Sequence, residues 1–188
     1  MKTSIPVFKQ QILILIDTIS IQKKYTEPSL DLCNPIQIDL SNRFLICSRN
    51  LNPMFEISLN GISLQAEIGD RIIFTGISID GGSFDSIILY KIETLQSVKE
   101  ENKVKVFGKF NPECFERSVV QNKVGVDNEF STYLMNQNFI LFKSCINKFS
   151  NQDVKISFAV YIIDNDGQQQ SLYGYFCFIQ NFIINKVN

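Results

Sequence analysis

The chain is 188 residues long, 45% hydrophobic and 20% charged: enough for one domain (1–188) with a sizeable core, and too apolar for disorder. Its 18 Lys+Arg and 19 Asp+Glu leave a net charge of −1, with no basic excess to hold nucleic acid or an anionic membrane surface. The absence of histidine removes Ser-His-Asp and Cys-His nucleophiles, H-E-x-x-H metal sites and zinc deaminase chemistry, which all need an imidazole.

Helical periodicity is scarce, and short β-rich runs recur between turn signals, the pattern of an all-β sandwich or barrel. Ile12–Ile16 is apolar without alternation and reads as a strand covered on both faces. Thr18–Tyr25 has the makings of a short helix, with Asp17 as N-cap and Ile21 and Tyr25 on one face. A loop follows from Glu27-Pro28 to Asn34-Pro35, where each proline removes a donor and keeps its predecessor out of helical geometry. Phe44–Cys47 is the second strand expected.

Phe55, Ile57 and Leu59, then Ile62, Leu64 and Ala66, alternate with polar residues around Asn60-Gly61, which predicts a hairpin with one apolar face. Gly69-Asp70 turns the chain into a strand over Arg71–Ile77, and Asp80-Gly81-Gly82 turns it into another over Ser86–Ile92. Val104–Phe110 reads as a strand ended by Asn111-Pro112. The irregular stretch from Glu113 to about Gln137 reads as a long loop with room for one short strand. Phe139–Phe142 resumes strand character. Val154, Ile156, Phe158, Val160 and Ile162 alternate over one long strand, Asp164-Asn165-Asp166-Gly167 turns, and Leu172–Ile184 returns as the last strand or pair of strands. The run Tyr173–Ile184 is apolar on both faces, so it is either central in the fold or a contact surface. Phe182 is the residue expected to be exposed in the second case.

Five cysteines (Cys33, Cys47, Cys114, Cys145, Cys177) are scattered with no C-x-x-C pair, which suits buried, reduced thiols better than zinc or a disulfide framework. The five apolar residues Ile12–Ile16 are too few for a bilayer span or a secretory core, so an intracellular chain is expected. Neither a metal nor another cofactor is expected. Asp17, Asp39, Asp70 and Asp85 could in principle supply a carboxylate pair, but all fall at strand ends or turns, where caps and Asx-turns are their commoner use. Asp164-x-Asp166-Gly167 opens like a calcium loop yet has Tyr175 where the closing glutamate belongs. Asp80-Gly81-Gly82-Ser83 is followed by a strand and no G-K-[ST], so a turn outweighs a phosphate cradle.

The segments Ile12–Asp39, Ala66–Ile92 and Ile156–Phe178 together resemble the PixA/AidA inclusion-body protein family of bacteria. The residues carrying the resemblance are Asp17-Thr18 after an apolar strand, a Tyr25…Pro28-Ser29 loop leading through Asn34-Pro35 to Asp39, and the Gly69-Asp70 turn. Gly82…Asp85-Ser86 before Ile87–Ile92 with Tyr90, and the closing Gly174-Tyr175-Phe176, complete the set. Two departures stand out: Leu40 where the family usually has histidine, and Phe178-Ile179-Gln180 in place of Trp-Asp-Pro. The resemblance implies an immunoglobulin-like antiparallel β-sandwich with at most one or two short helices, and accumulation as inclusions in the bacterial cytoplasm. It brings no catalytic residues. The expected function is therefore a non-enzymatic protein whose partner is itself, as a homo-oligomer or crystalline lattice. A carbohydrate-binding, lectin-like module is the alternative, so a glycan ligand stays open.

Overall fold

The computed structural model describes residues 9–49, 52–54, 61–79, 85–95, 104–124, 130–164 and 169–187. The first half of the expected hairpin (55–60), the turn at 80–84 and residues 165–168 lie outside them. Among the described residues eleven strands and one α-helix follow in order: β1 (Lys9–Ile16), α1 (Thr18–Lys24), β2 (Ile36–Gln37), a 3-10 turn (Leu40–Asn42), β3 (Arg43–Arg49), β4 (Asn52–Met54) and β5 (Ile62–Ala66). The remainder are β6 (Arg71–Ser78), β7 (Ser86–Thr94), β8 (Asn111–Val124), β9 (Phe130–Cys145), β10 (Asn151–Ile163) and β11 (Gln170–Lys186).

They form an all-β sandwich. One sheet has the order β4-β3-β1-β6-β9-β8, and the other β2-β11-β10-β7, with β5 also pairing β11. The antiparallel expectation holds for most pairs, but both sheets are mixed. β1 runs parallel to β6 (Ile12 opposite Phe74), and β11 runs parallel to β2 and β5. Alternation fixes which face of a strand is buried and leaves open the direction of its neighbour, so the sequence pattern could not separate these cases.

Ile12, Ile14 and Ile16 point inward from β1, while Leu13 and Leu15 on its other face are half-buried. Opposite them stand Val154, Ile156, Phe158 and Val160 of β10 and Phe176, Phe178, Phe182 and Ile184 of β11. Phe182, expected on the surface, is 0% exposed. It has the same parity as Phe176 and Phe178, so it faces inward with them. Its ring meets Phe74 of the other sheet edge-on at 5.7 Å and Phe107 at 5.8 Å. Ile62 and Leu64 are also buried, as the alternation predicted, but β5 pairs with β11.

Residues 104–110 do not form the expected strand. Val106, Phe107 and Phe110 enter the core from an irregular segment, tied by Asn147 N–H to the Val106 carbonyl (2.8 Å) and Gly108 N–H to the Cys145 carbonyl (2.9 Å). Their apolar character reports burial; it does not report strand geometry. The stretch after them is no loop. β8 and β9 are long antiparallel partners in register from Asn111↔Lys143 to Val124↔Phe130, and Pro112 is tolerated because β8 is an edge strand. Only Cys47 and Cys177 are buried; Cys33, Cys114 and Cys145 are exposed, because they fall in a loop, on the edge strand and at the end of β9.

Because Phe182 fills the space between the sheets, Phe182→Ala should lower the unfolding free energy by about 3–5 kcal/mol. Leu134→Ala, at a side chain 71% exposed, should change it by no more than about 0.5 kcal/mol. Urea denaturation of the two variants checks the contrast.

Candidate functional site

Most of the residues singled out by sequence converge on α1 and the loop at 25–39, which straps the end of the sandwich. Asp17 caps the helix: its carboxylate accepts Ser20 N–H at 2.9 Å and the Ser20 hydroxyl at 2.7 Å. Asp85, buried, accepts Gln22 Nε2–H at 2.6 Å, and its carbonyl accepts the Ser78 hydroxyl at 2.7 Å, joining α1 to the start of β7. Asp39 is exposed and forms an ion pair with Lys24; its N–H donates to the Tyr25 hydroxyl at 3.1 Å. The hydrogen bond from Lys24 to the Asp39 carboxylate is the main reason the Lys24 ammonium titrates above its ordinary range.

The closing motif anchors the strap. Tyr175 N–H donates to the Ser29 carbonyl at 2.8 Å, and Ile38 N–H to the Cys177 carbonyl at 2.8 Å, so the strap runs along the edge of β11. Gly174 permits this approach, because a Cβ there would stand 2.4 Å from Pro28 Cβ. Phe176 is fully buried under Tyr25 and Tyr173, and the Tyr173 hydroxyl donates to the Tyr25 carbonyl at 2.7 Å. Tyr90 sits where β7 slips register against β10, between Lys91↔Ser157 and Leu89↔Phe158. Such a bulge re-aims the side chain. The ring meets Tyr175 edge-on at 5.5 Å, and the hydroxyl donates to the Leu32 carbonyl at 3.2 Å.

Gly69 and Asp70 are brought to a different place. They precede Arg71, which pairs with Lys9 at the start of β1, whereas Asp17 follows Ile16 at its end. Eight strand residues separate the two ends by roughly 25 Å. Gly69 has φ +96°, and the Asp70 carboxylate accepts Glu67 N–H at 2.9 Å, so this pair makes a turn. Gly82 lies outside the described residues. Asp164 also serves a turn, with its N–H on the Gln169 carbonyl at 2.8 Å and its carboxylate accepting the Ser171 hydroxyl at 2.7 Å. Asp17 thus acts as a cap and Asp70 as a turn former, while Asp39 and Asp85 hold side chains of α1.

Sequence reasoning missed Gln22, Lys24, Ser29 and Leu32 as partners, since polar or loop residues carry no periodic signal for a distant contact. It also missed a buried polar group. Thr18 Oγ1, Asn42 Oδ1, Arg43 Nε and Gln180 Oε1 are buried without a hydrogen-bond partner among the described residues. The Arg43 guanidinium lies over the Phe178 ring at 4.6 Å, and burial lowers its pKa to about 10.

Fold and site together define a β-sandwich protein in which residues of α1, β7 and β11 hold a strap against the second sheet. The profile of the PixA family, described as inclusion body protein, matches residues 9–183, and the chain belongs to that family. The crystal structure of an inclusion body protein (PixA) from Burkholderia cenocepacia J2315 is similar, with a TM-score of 0.72, 21% identity, and coverage of 98% of this chain and 100% of that one. At that identity the likeness bears on the fold. No curated protein matches the chain.

Two outcomes follow. Gly174→Ala must push the Pro28 segment away from β11 and should cost about 1–3 kcal/mol, measured by urea denaturation. Burial raises the Cys177 thiol above its ordinary 9.0 and the Tyr90 and Tyr173 phenols above their ordinary 10.0. Raised acids favour the folded state fully below their unfolded pKa values, and that contribution is lost as pH climbs through the folded ones. Stability should therefore fall above about pH 9, and Tyr90→Phe should flatten the fall in melts taken between pH 8 and 11.

Proposed function

We propose that this protein is a non-enzymatic, self-associating protein that accumulates as inclusion bodies in the bacterial cytoplasm, as a store or stockpiled factor. Membership of the inclusion body protein family supports the reading. So does the employment of Asp17 as a helix cap, Asp70 as a turn former and Asp85 as the acceptor of the Gln22 side chain. A net charge of −1 leaves little long-range repulsion to oppose close packing.

The observation that carries it is the β8–β9 ribbon. Beyond Leu141 the two strands pair only with each other among the described residues, and Leu134 on β9 is 71% exposed. A long two-stranded arm with an apolar side chain in water favours contact with another copy.

A glycan-binding module is the second reading, favoured by the half-buried, edge-to-face Tyr90–Tyr175 pair on the strap side of β11. Electron microscopy of producing cells should find dense, ordered bodies, and purified protein should sediment as growing oligomers as its concentration rises. A chain that remains monomeric at millimolar concentration and neutral pH overturns the storage reading. Retention on a glycan array that is lost in Tyr175→Ala supports the second reading in its place.

A further inference from the structure

A groove of about 430 Å³ opens between β6, β7 and β9, away from the strap and its tyrosines. We infer that it is a binding site for a small uncharged molecule with an apolar, ring-bearing body and one hydrogen-donating group.

The groove exists because strands part company here. β9 pairs with β6 only as far as Thr75↔Leu141, and then stays with β8 through Phe115↔Phe139. β6 runs on through Gly76 to Ser78, accompanied in its sheet by β1 alone among the described residues. Gly76 lets β7 come close, since a Cβ there would stand 2.9 Å from Leu89 Cγ and 3.0 Å from Ile87 Cδ1. The space left is lined by Ile77, Ile87, Leu89, Phe115, Phe139 and Leu141. Ile87 and Leu89 are buried, whereas Ile77 is 37% exposed at the border. The half-buried Phe115 and Phe139 rings stack at 5.7 Å with 17° between their planes.

Size, lining and charge set the chemistry of the occupant. The volume falls within the roughly 300–1,000 Å³ of small-molecule sites, which are mostly apolar with a few placed polar groups. A lining that includes two stacked aromatic rings favours a flat ring, which meets such faces edge-on or offset. Among the described residues the polar side chains lining the groove are Thr75, Ser78, Ser86, Asn138 and Gln170, all neutral. A carboxylate, phosphate or ammonium group entering it would lose hydration without gaining an opposite charge, so the occupant is uncharged. The Ser86 hydroxyl donates to Gln170 Oε1 at 2.6 Å, which commits its proton and leaves its oxygen to accept. The matching group on the occupant is a hydroxyl or an N–H. Glu113, Glu116 and Asn138 beside the groove are exposed and polar, so the apolar surface stops at its border. That suits a small molecule better than a protein face.

The test titrates the protein with N-phenyl-1-naphthylamine, an uncharged fluorescent probe whose N–H can donate, and with 1-anilinonaphthalene-8-sulfonate, the same ring framework carrying a negative charge. Wild type should bind the amine saturably, one molecule per chain, and the sulfonate about tenfold or more weakly. Phe139→Ala should raise the dissociation constant of the amine about tenfold or more, and Ser86→Ala about threefold. Leu30→Lys, at a side chain 69% exposed on the strap, serves as the control and should change it less than about twofold. Saturating amine should slow backbone hydrogen exchange in residues 75–78, 86–89 and 138–141. Absence of saturable binding overturns the inference, as does a sulfonate that binds as well as the amine. Where Phe139→Ala fails to fold, Ser86→Ala and the exchange pattern decide: an unchanged constant, or protection confined to other residues, overturns it.

Discussion

The structure depends on the inward row of β11. Phe176, Phe178 and Phe182 are each fully buried, and Phe182 touches Phe74 across the sandwich and Phe107 from the irregular 104–110 segment. Edge-to-face rings at 5–6 Å add specific geometry to the area they remove from water. The backbone of this strand is engaged on both sides. β10 takes one edge over nearly its whole length, while β5, β2 and Ser29 share the other. Three distant parts of the chain, and the neighbouring β10, are thereby fixed to a single strand.

The residues that carried the resemblance acquire a physical meaning from this arrangement. Gly174, Tyr175 and Phe176 accept the strap; Asp17 and Asp85 fix the helix that begins it; and Asp39 with Lys24 closes its far side. Edge strands are hazards because their open amides recruit other chains. The strap blunts that hazard at one edge of the second sheet. At the other sheet, β8 is the terminal strand of the described order.

What was legible in the sequence follows the same physics. β6, β7, β10 and β11 were readable because each has one face in the core and turn residues at its ends. The capped helix was readable because Asp17 and the Ile21/Tyr25 spacing are local signals. β2 was missed because two residues carry no period. The stretch from Glu113 to about Gln137 was missed because a ribbon that leaves the core needs no apolar alternation, whereas Phe139–Phe142 of β9 was readable as strand. Residues 104–110 misled in the opposite sense, since Val106, Phe107 and Phe110 are apolar for burial without belonging to a ladder. Phe182 was misplaced because a run apolar on both faces hides its parity until a neighbour such as Phe178 is known to face inward. The site was half legible: capping and turn aspartates announce themselves, whereas the acceptor carbonyls of Ser29 and Leu32 are backbone atoms that any residue could supply.

The placement of β11 has a consequence for biosynthesis. It emerges from the ribosome after every strand it pairs with, and β2 at Ile36–Gln37 precedes it by more than a hundred residues. At translation rates of about 5–20 residues per second, β2 and β5 wait on the order of ten seconds for their neighbour. Parallel partners so distant in sequence also form slowly once present. During that interval nascent chains on neighbouring ribosomes expose the same unsatisfied edges to one another. The chain therefore depends on chaperone capacity to keep those edges apart until β11 closes them.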